Sequence, residues 1–238
     1  MDSSEIFYTK FAPSYAKYAS TKNDYLRAVN SFIIKSSKNG ASMIDVGAGD
    51  GKRSREISDG IKTTNLTLLD NSQGMVNLLK NIAGAKVICG NIADTEFKLE
   101  GKFDVVTCLW NVFGHIPDAP KREVAIKNLR GLLKQDGFIF LDVNNRYNMA
   151  QYGVKNVLRN MIKDIFGKKQ ANGDFELDFD VDKEKIKTKV HIFSPSEINK
   201  LIKSSGLKIV QRRVINYRTG ARCKSVFGGQ LLYKLAKA

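Results

Sequence analysis

From Ser42 onward, short apolar runs alternate with stretches of helical period: SMIDVGA, NLTLLDN, AKVICGN, FDVVTCLW and FIFLDVN. Near-continuous apolar strands separated by amphipathic helices imply a parallel sheet covered on both faces. The helix that starts near Ser72 carries Met75, Val76, Leu78, Leu79 and Ile82 on one side, with Gly84 as its stop. The helix from Pro120 to Lys134 turns Val124, Leu129, Leu132 and Leu133 inward, and Asp136–Gly137 then turns the chain. The pattern predicts an α/β doubly wound domain.

Both flanks depart from this rhythm. The first 38 residues read as two helices separated by Ser20–Thr21–Lys22–Asn23. Residues 145–193 interrupt the alternation. Val154, Val157, Leu158, Met161, Ile162 and Ile165 recur at helical spacing, while Lys155, Arg159 and Lys163 line another face. The segment GDFELDFDVDKEKIKTKVHIF then alternates with period two across a turn at Asp182–Lys183. Folded there, Asp180 faces Lys185, Asp178 faces Lys187 and Glu176 faces Lys189, while Phe179 meets Ile186 and Phe175 meets Val190. One register satisfies charge and hydrophobicity together, each cross-strand pair contributing ~0.2–1 kcal/mol. The same register sets His191 against Asp174 and makes it structural. Ser194–Pro195–Ser196–Glu197 is a capping box with proline at the first helical position. The strands LKIVQRRVINYR and GGQLLYKLAK close the chain, joined by a loop too short for a crossover helix and hence antiparallel. The whole reads as one domain, with 1–38 a helical cap and 145–193 an inserted lid on a seven-stranded sheet.

With 238 residues the chain can bury a full core. No apolar run approaches the ~20 residues that span a bilayer, and MDSSEIFYTK lacks the layout of a secretion signal. Cys89, Cys108 and Cys223 are too scattered for a disulfide framework or a zinc knuckle, and the first two fall in strands expected to be buried. A reducing cytoplasm is the expected setting. The net charge of +15 is concentrated toward the C-terminus: residues 120–238 carry 25 Lys/Arg against 11 Asp/Glu, and ten basic residues follow Glu197 with no acidic one. Such asymmetry suits an anionic partner or a solvated lysine-rich face.

The candidate chemistry lies at the strand ends. The first strand exits through Asp45–Val46–Gly47–Ala48–Gly49–Asp50–Gly51, where glycines allow a tight turn and close approach of a ligand. Lys52 replaces the third glycine of a dinucleotide fingerprint, and there is no phosphate-loop lysine. Asp70 ends the second strand, 21 residues after Gly49, where a carboxylate can accept both hydroxyls of a ribose. Asn91 ends the third, placing an amide at the same sheet edge.

In DVGAGDG (45–51), LLDNSQGM (68–75), ICGNIAD (88–94), FDVVTCLWNVFGHI (103–116) and LRGLLKQDGFIFLDV (129–143), the chain resembles the class I S-adenosylmethionine-dependent methyltransferases over nearly its whole length. The resemblance implies a Rossmann-like methyltransferase fold and S-adenosylmethionine as cofactor. Gly47, Ala48 and Gly49 would pass beneath the methionine moiety, and Asp70 would bind the ribose. Asn71 and Met75 would flank the adenine, with Asn91 bonding its amine and the Ile92 amide nearby. Asp45, Leu109 at the fourth strand's exit, and Tyr15 from the N-terminal helices complete the expected cofactor contacts. The run Asn111 to Asp118 is similar to the glycine and sarcosine N-methyltransferase branch and suggests a small-molecule amine as acceptor.

Methyl transfer from a sulfonium is an in-line displacement, in which positioning alone contributes ~7–11 kcal/mol. A base is needed only for a nucleophile that arrives protonated. His115 is the candidate, since histidine titrates near neutrality; the alternative is a polar residue closing a turn. Asn111, Asn144, Arg146 and Tyr147 are the other candidate acceptor contacts, and Arg146 could hold a carboxylate or phosphate. Nucleic-acid methylation is the rival raised by the basic C-terminal half. Against it, Leu109–Trp110–Asn111–Val112 stands where base-amine methyltransferases carry [DN]-P-P-[YF], and Cys108 has no following proline for a covalent mechanism. A lipid-like or membrane-associated acceptor, met by the Val154–Ile165 helix, is a further alternative. A non-catalytic nucleotide-binding protein is disfavoured because every cofactor-side position is filled. No metal-ligand spacing occurs, and nothing in the sequence sets an oligomeric state.

Overall fold

The computed structural model describes residues 3–167, 172–181 and 184–238. Two helices open it, α1 (Ser3–Ser20) and α2 (Asn23–Ser36), broken at Thr21–Lys22. Tyr25, Leu26, Val29, Phe32 and Ile33 of α2 are buried, the stripe a core-facing helix requires. The alternating region then gives β1 (Met43–Val46), α3 (Lys52–Gly60), β2 (Leu66–Asp70), α4 (Gln73–Leu79), β3 (Ala85–Cys89), β4 (Phe103–Cys108), α5 (Ala119–Gly131) and β5 (Leu133–Val143). The inserted part contains α6 (Met149–Tyr152), α7 (Val154–Phe166), β6 (Asp174–Val181) and β7 (Glu184–His191). The chain ends with α8 (Pro195–Ser204), β8 (Leu207–Ile215), β9 (Arg222–Cys223) and β10 (Gln230–Lys237).

The main sheet has the order β3-β2-β1-β4-β5-β10-β8-β9. Strands β1 to β5 are parallel, and β10 runs antiparallel between β5 and β8. The eighth strand beyond the expected seven is the two-residue β9, paired to the end of β8. The winding reverses between β1 and β4, which opens a crevice at the carboxyl ends of those strands. One apolar cluster, around Val106, Leu129, Leu141, Ile198 and Tyr233, fills the α5 and α8 side. A second, around Val29, Phe32, Met43, Leu68 and Phe140, fills the side covered by α2 and α3.

Three local expectations are corrected. Cys89 is exposed, because β3 is the sheet edge and only half-covered. Helix α5 ends at Gly131, and β5 already starts at Leu133. Asp136–Gly137 is therefore inside β5, in a wide bulge between the pairs Phe103–Leu133 and Val105–Phe138. Helix α4 is shorter than expected, ending at Leu79, with Ser72 as N-cap accepting the Met75 amide at 3.3 Å.

The β6–β7 hairpin has the register that charge and hydrophobicity require, including Glu176–Lys189, Phe175–Val190 and Asp174–His191. Its turn, expected at Asp182–Lys183, lies outside the described residues. His191 is buried between two carboxylates, with Nδ1 2.6 Å from Asp174 and Nε2 2.7 Å from Glu197. Glu197 also closes the capping box of α8 with Ser194.

Candidate active site

Each glycine of the first loop that faces the crevice is there for a steric reason. Gly47 has φ +74°, and a Cβ there would lie 2.4 Å from Val112 Cγ1; Gly49 has φ +60°, and its Cβ would lie 2.7 Å from Tyr15 Oη. Asp70 ties this loop to β2, accepting the Gly49 amide at 3.0 Å and the Ser72 amide at 2.9 Å. Burial outweighs those two donors and pushes the Asp70 carboxyl up to about 6. Asp45 is buried at the end of β1, where the hydroxyls of Ser54 and Thr107 each donate to it at 2.6 Å. Burial raises its pKa as well.

These groups open into one cavity of about 310 Å³. All eleven residues expected at the cofactor line it: Tyr15, Asp45, Gly47, Ala48, Gly49, Asp70, Asn71, Met75, Asn91, Ile92 and Leu109. The Asn91 side chain accepts the Ala93 amide at 2.9 Å, which fixes its carbonyl and leaves its NH2 as the donor end. Sequence reasoning missed Arg53 and Glu56, which line the same cavity from α3. Arg53 Nε donates to Asn30 Oδ1 at 3.2 Å, and Asn30 donates in turn to Glu56 at 2.9 Å. Arg53 Nη2 is buried with no hydrogen-bond partner among the described residues. The signal for Arg53 was its place in the first helical turn after the glycine loop.

A second cavity of about 90 Å³ adjoins the first, and Tyr8, Tyr15, Trp110 and His115 line both. Seven aromatic residues line it: Phe7, Tyr8, Phe11, Tyr15, Tyr18, Trp110 and Tyr217. Asn111, Asn144, Leu177 and Val190 complete the wall with His115, and among the described residues no Lys, Arg, Asp or Glu lines it. The β6–β7 hairpin supplies Leu177 and Val190. The aromatic spacing Tyr8, Phe11, Tyr15, Tyr18 on one face of α1 is the sequence signal for this wall; Tyr217, from the β8–β10 connection, had none. Its hydroxyl accepts the Trp110 indole N–H at 3.0 Å, and Tyr18 stacks on Trp110 at 5.6 Å.

The exit of β4 is backbone-strained. Trp110 and Asn111 have φ +57° and +60°, where glycine is usual and asparagine is tolerated better than tryptophan. Asp142, on the neighbouring strand β5, holds this turn. It accepts the Asn111 amide at 3.0 Å and the Tyr25 hydroxyl at 3.0 Å, and its other acceptor capacity takes the Trp110 amide. Asn111 Oδ1 then accepts the Asn144 amide at 2.9 Å, and its Nδ2 is buried without a partner among the described residues. His115 Nε2 lies 3.0 Å from Tyr8 Oη, and its Nδ1 is buried and unpartnered among the same residues. Burial pushes the His115 pKa down to about 4, so the ring is neutral at pH 7. This corrects the expectation of a histidine titrating near neutrality.

Arg146 and Tyr147 are not brought to either cavity. The Arg146 guanidinium is buried and fully engaged: its Nε and Nη2 each lie 3.1 Å from Asp164, and Nη2 also lies 3.1 Å from Glu197. Its Nη1 donates to the carbonyls of Asn172 and Ile192. Tyr147 Oη donates to Asp164 at 2.7 Å. Both side chains fasten α7 and the hairpin to the end of β5, so Arg146 has no free donors for a substrate carboxylate.

Residues 43–137, which contain the glycine loop and the ends of β1 to β4, match the family model described as a methyltransferase domain. The chain has the Rossmann-like methyltransferase fold. By sequence, an uncharacterized protein of Methanocaldococcus jannaschii is 28% identical to it over 207 residues, which are 86% of this chain and 76% of that protein. By structure, an S-adenosylmethionine-dependent methyltransferase from Clostridium acetobutylicum matches at TM-score 0.69 and 16% identity, over 97% of this chain and 99% of that chain. An amino pentose methyltransferase from Micromonospora echinaspora, solved with S-adenosylmethionine bound, matches at TM-score 0.62 and 14% identity over 96% of each chain. At such identities these two structures establish the shared fold.

Proposed function

We propose that this methyltransferase moves the methyl group of S-adenosylmethionine to the nitrogen of a small-molecule amine by direct in-line displacement. The observation that carries this reading is the pair of adjoining cavities: a large one with polar strand ends, and a small aromatic one that shares Tyr8, Tyr15, Trp110 and His115 with it. The donor set of the larger cavity fits the cofactor. Asp70 would accept the ribose hydroxyls, Asn71 and Met75 would flank the adenine, and the Asn91 NH2 end and the Ile92 amide would meet its edge. The side-chain-free surface of Gly47–Gly49 admits the methionine moiety, and the spare Arg53 donor suits its carboxylate. When bound, the cofactor supplies an electrophilic methyl on a sulfonium sulfur.

The chain's own contribution is alignment and exclusion of water. Aromatic faces attract an ammonium or a flat apolar group, and the absence of cations among the described lining residues of the smaller cavity disfavours a phosphorylated or nucleic-acid acceptor, which needs them. The buried Nδ2 of Asn111 and Nδ1 of His115, unpartnered among the described residues, are polar groups available to orient the acceptor. With its pKa near 4, His115 is too weak a base to hold a proton taken from an alkylammonium; it acts by hydrogen bonding, paired with Tyr8, and the amine sheds its proton before transfer. An amino pentose acceptor of the kind named for the Micromonospora protein is consistent with this cavity.

The test is calorimetric binding of S-adenosylmethionine and S-adenosylhomocysteine, then turnover on amines, phosphorylated compounds and RNA. His115→Asn should leave the cofactor Kd within about threefold and lower kcat/KM on the amine by at least about tenfold. Failure of both sulfur compounds to bind overturns the cofactor reading. Turnover on RNA alone, lost steeply with added salt, overturns the acceptor reading.

A further inference from the structure

Helix α7 presents an apolar stripe that nothing among the described residues covers. Val157 is its one fully buried residue. Val154, Leu158, Ile162, Ile165 and Phe166 are 55%, 49%, 59%, 68% and 83% exposed. At about 100° per residue these five fall within roughly 120° of arc, so they form one ridge. The inward residues Val157, Met161 and Asp164 occupy a separate arc, which explains how the helix is anchored and yet leaves a whole apolar face outside. A contiguous exposed ridge of this kind marks a surface that is covered in use.

The charge on the same helix selects the covering. Lys155, Arg159 and Lys163 are all exposed; Lys155 falls within the arc of the ridge, and Arg159 and Lys163 run along its flank. Lys168 and Lys169 follow directly in sequence. The single acid of α7, Asp164, is turned inward and engaged by Arg146 and Tyr147. The outer surface of the helix is therefore apolar and cationic, with no available anion. A second copy of the chain pairing through this ridge would bring cations against cations with no acid to answer them. The whole chain, at +15, adds to the same sign.

We propose that α7 is an interfacial helix that seats this methyltransferase on an anionic lipid bilayer surface, its apolar ridge entering the headgroup region and its Lys/Arg flank facing the anionic headgroups. Exposed bulky apolar side chains beside a polybasic flank are what such helices require, because neither signal alone holds a soluble protein at a membrane. No described helix is long and apolar enough to cross a membrane, so the attachment is peripheral. Asp164, Arg146 and Tyr147 fix α7 to the end of β5, and the hairpin that follows α7 supplies Leu177 and Val190 to the smaller cavity. The bilayer would thus meet the same inserted segment that walls the aromatic cavity. The proposal is independent of the acceptor's identity.

The experiment is co-sedimentation of the full chain with vesicles of phosphatidylcholine, with and without phosphatidylglycerol. The wild type should bind the anionic vesicles, bind pure phosphatidylcholine at least about tenfold more weakly, and release as ionic strength rises. Ile162→Glu/Phe166→Glu replaces two exposed side chains, so it should keep the wild-type melting temperature and basal turnover on a soluble amine while losing vesicle affinity at least about tenfold. Absence of binding to anionic vesicles at low salt overturns the proposal. Equal binding by the double variant also overturns it, since the net charge alone would then be responsible. Concentration-dependent self-association of the wild type that the double variant abolishes would assign the ridge to a second copy and overturn it as well.

Discussion

Gly47→Ala puts one methyl group where the loop and the β4 exit meet. The alanine must hold φ near +74°, which costs ~1–2 kcal/mol for a residue with a Cβ. Its methyl would then lie 2.4 and 2.6 Å from the two γ-carbons of Val112 and 3.0 Å from its Cβ. Val112 cannot simply swing away, because it is β-branched and packed against the core cluster of β4 and β5. Relief must come from backbone movement, at ~1–3 kcal/mol. The expected loss is therefore about 2–5 kcal/mol, read by urea denaturation, together with weaker S-adenosylmethionine binding. The overlap is specific to Val112, so Val112→Ala should recover about 1–3 kcal/mol in the double variant. A Gly47→Ala loss below about 1 kcal/mol, or strict additivity with Val112→Ala, would refute the steric account.

Burial holds the Asp70 carboxyl up to about 6, and in the proposed cofactor site only the ionised form would accept from both ribose hydroxyls. Cofactor affinity should therefore be flat above pH 7 and fall about tenfold per unit below pH 6, with Asp70→Asn weak and independent of pH across the same range. A wild-type Kd unchanged between pH 7.5 and about 5 would contradict the assignment. Asp142→Ala strands two backbone amides and the Tyr25 hydroxyl in the interior, at about 1–3 kcal/mol each. It should also shift the emission of Trp110, the only tryptophan in the chain; unchanged emission and stability would remove Asp142 from its proposed role.

What could be read from the sequence was whatever depends on local period and order. The apolar runs fixed the parallel strands, and the carboxyl ends of three of them carried Asp45, Asp70 and Asn91, which the sheet brings to one cavity. The hairpin register followed from two simultaneous patterns along one segment. Misreadings arose where a partner lies far along the chain. Arg146 looked like a free cation because Asp164 and Glu197, its partners, are 18 and 51 residues away. Cys89 looked buried because strand order, which puts β3 at the edge, is not written in a strand's own composition. His115 looked titratable because its burial under α1 depends on how Tyr8 docks, 107 residues upstream.

Asp142 was passed over for the same reason, and it is the residue on which the geometry between the two cavities depends. In the sequence it is an acid in an apolar run, FIFLDVN. In the fold it is buried beside the exit of β4 and supplies acceptors to the two residues whose backbone is left-handed. A left-handed tryptophan is costly, so the turn would relax without those acceptors. The strained turn brings the Trp110 ring between Tyr15 and Tyr18, at 5.7 and 5.6 Å. It also turns Asn111 toward the second cavity and, through Asn111 Oδ1, ties the start of the inserted segment at Asn144. A carboxylate raised in pKa by burial thus sets the positions of the aromatic wall, the Asn111 side chain and the base of the segment that supplies Leu177 and Val190 to the smaller cavity.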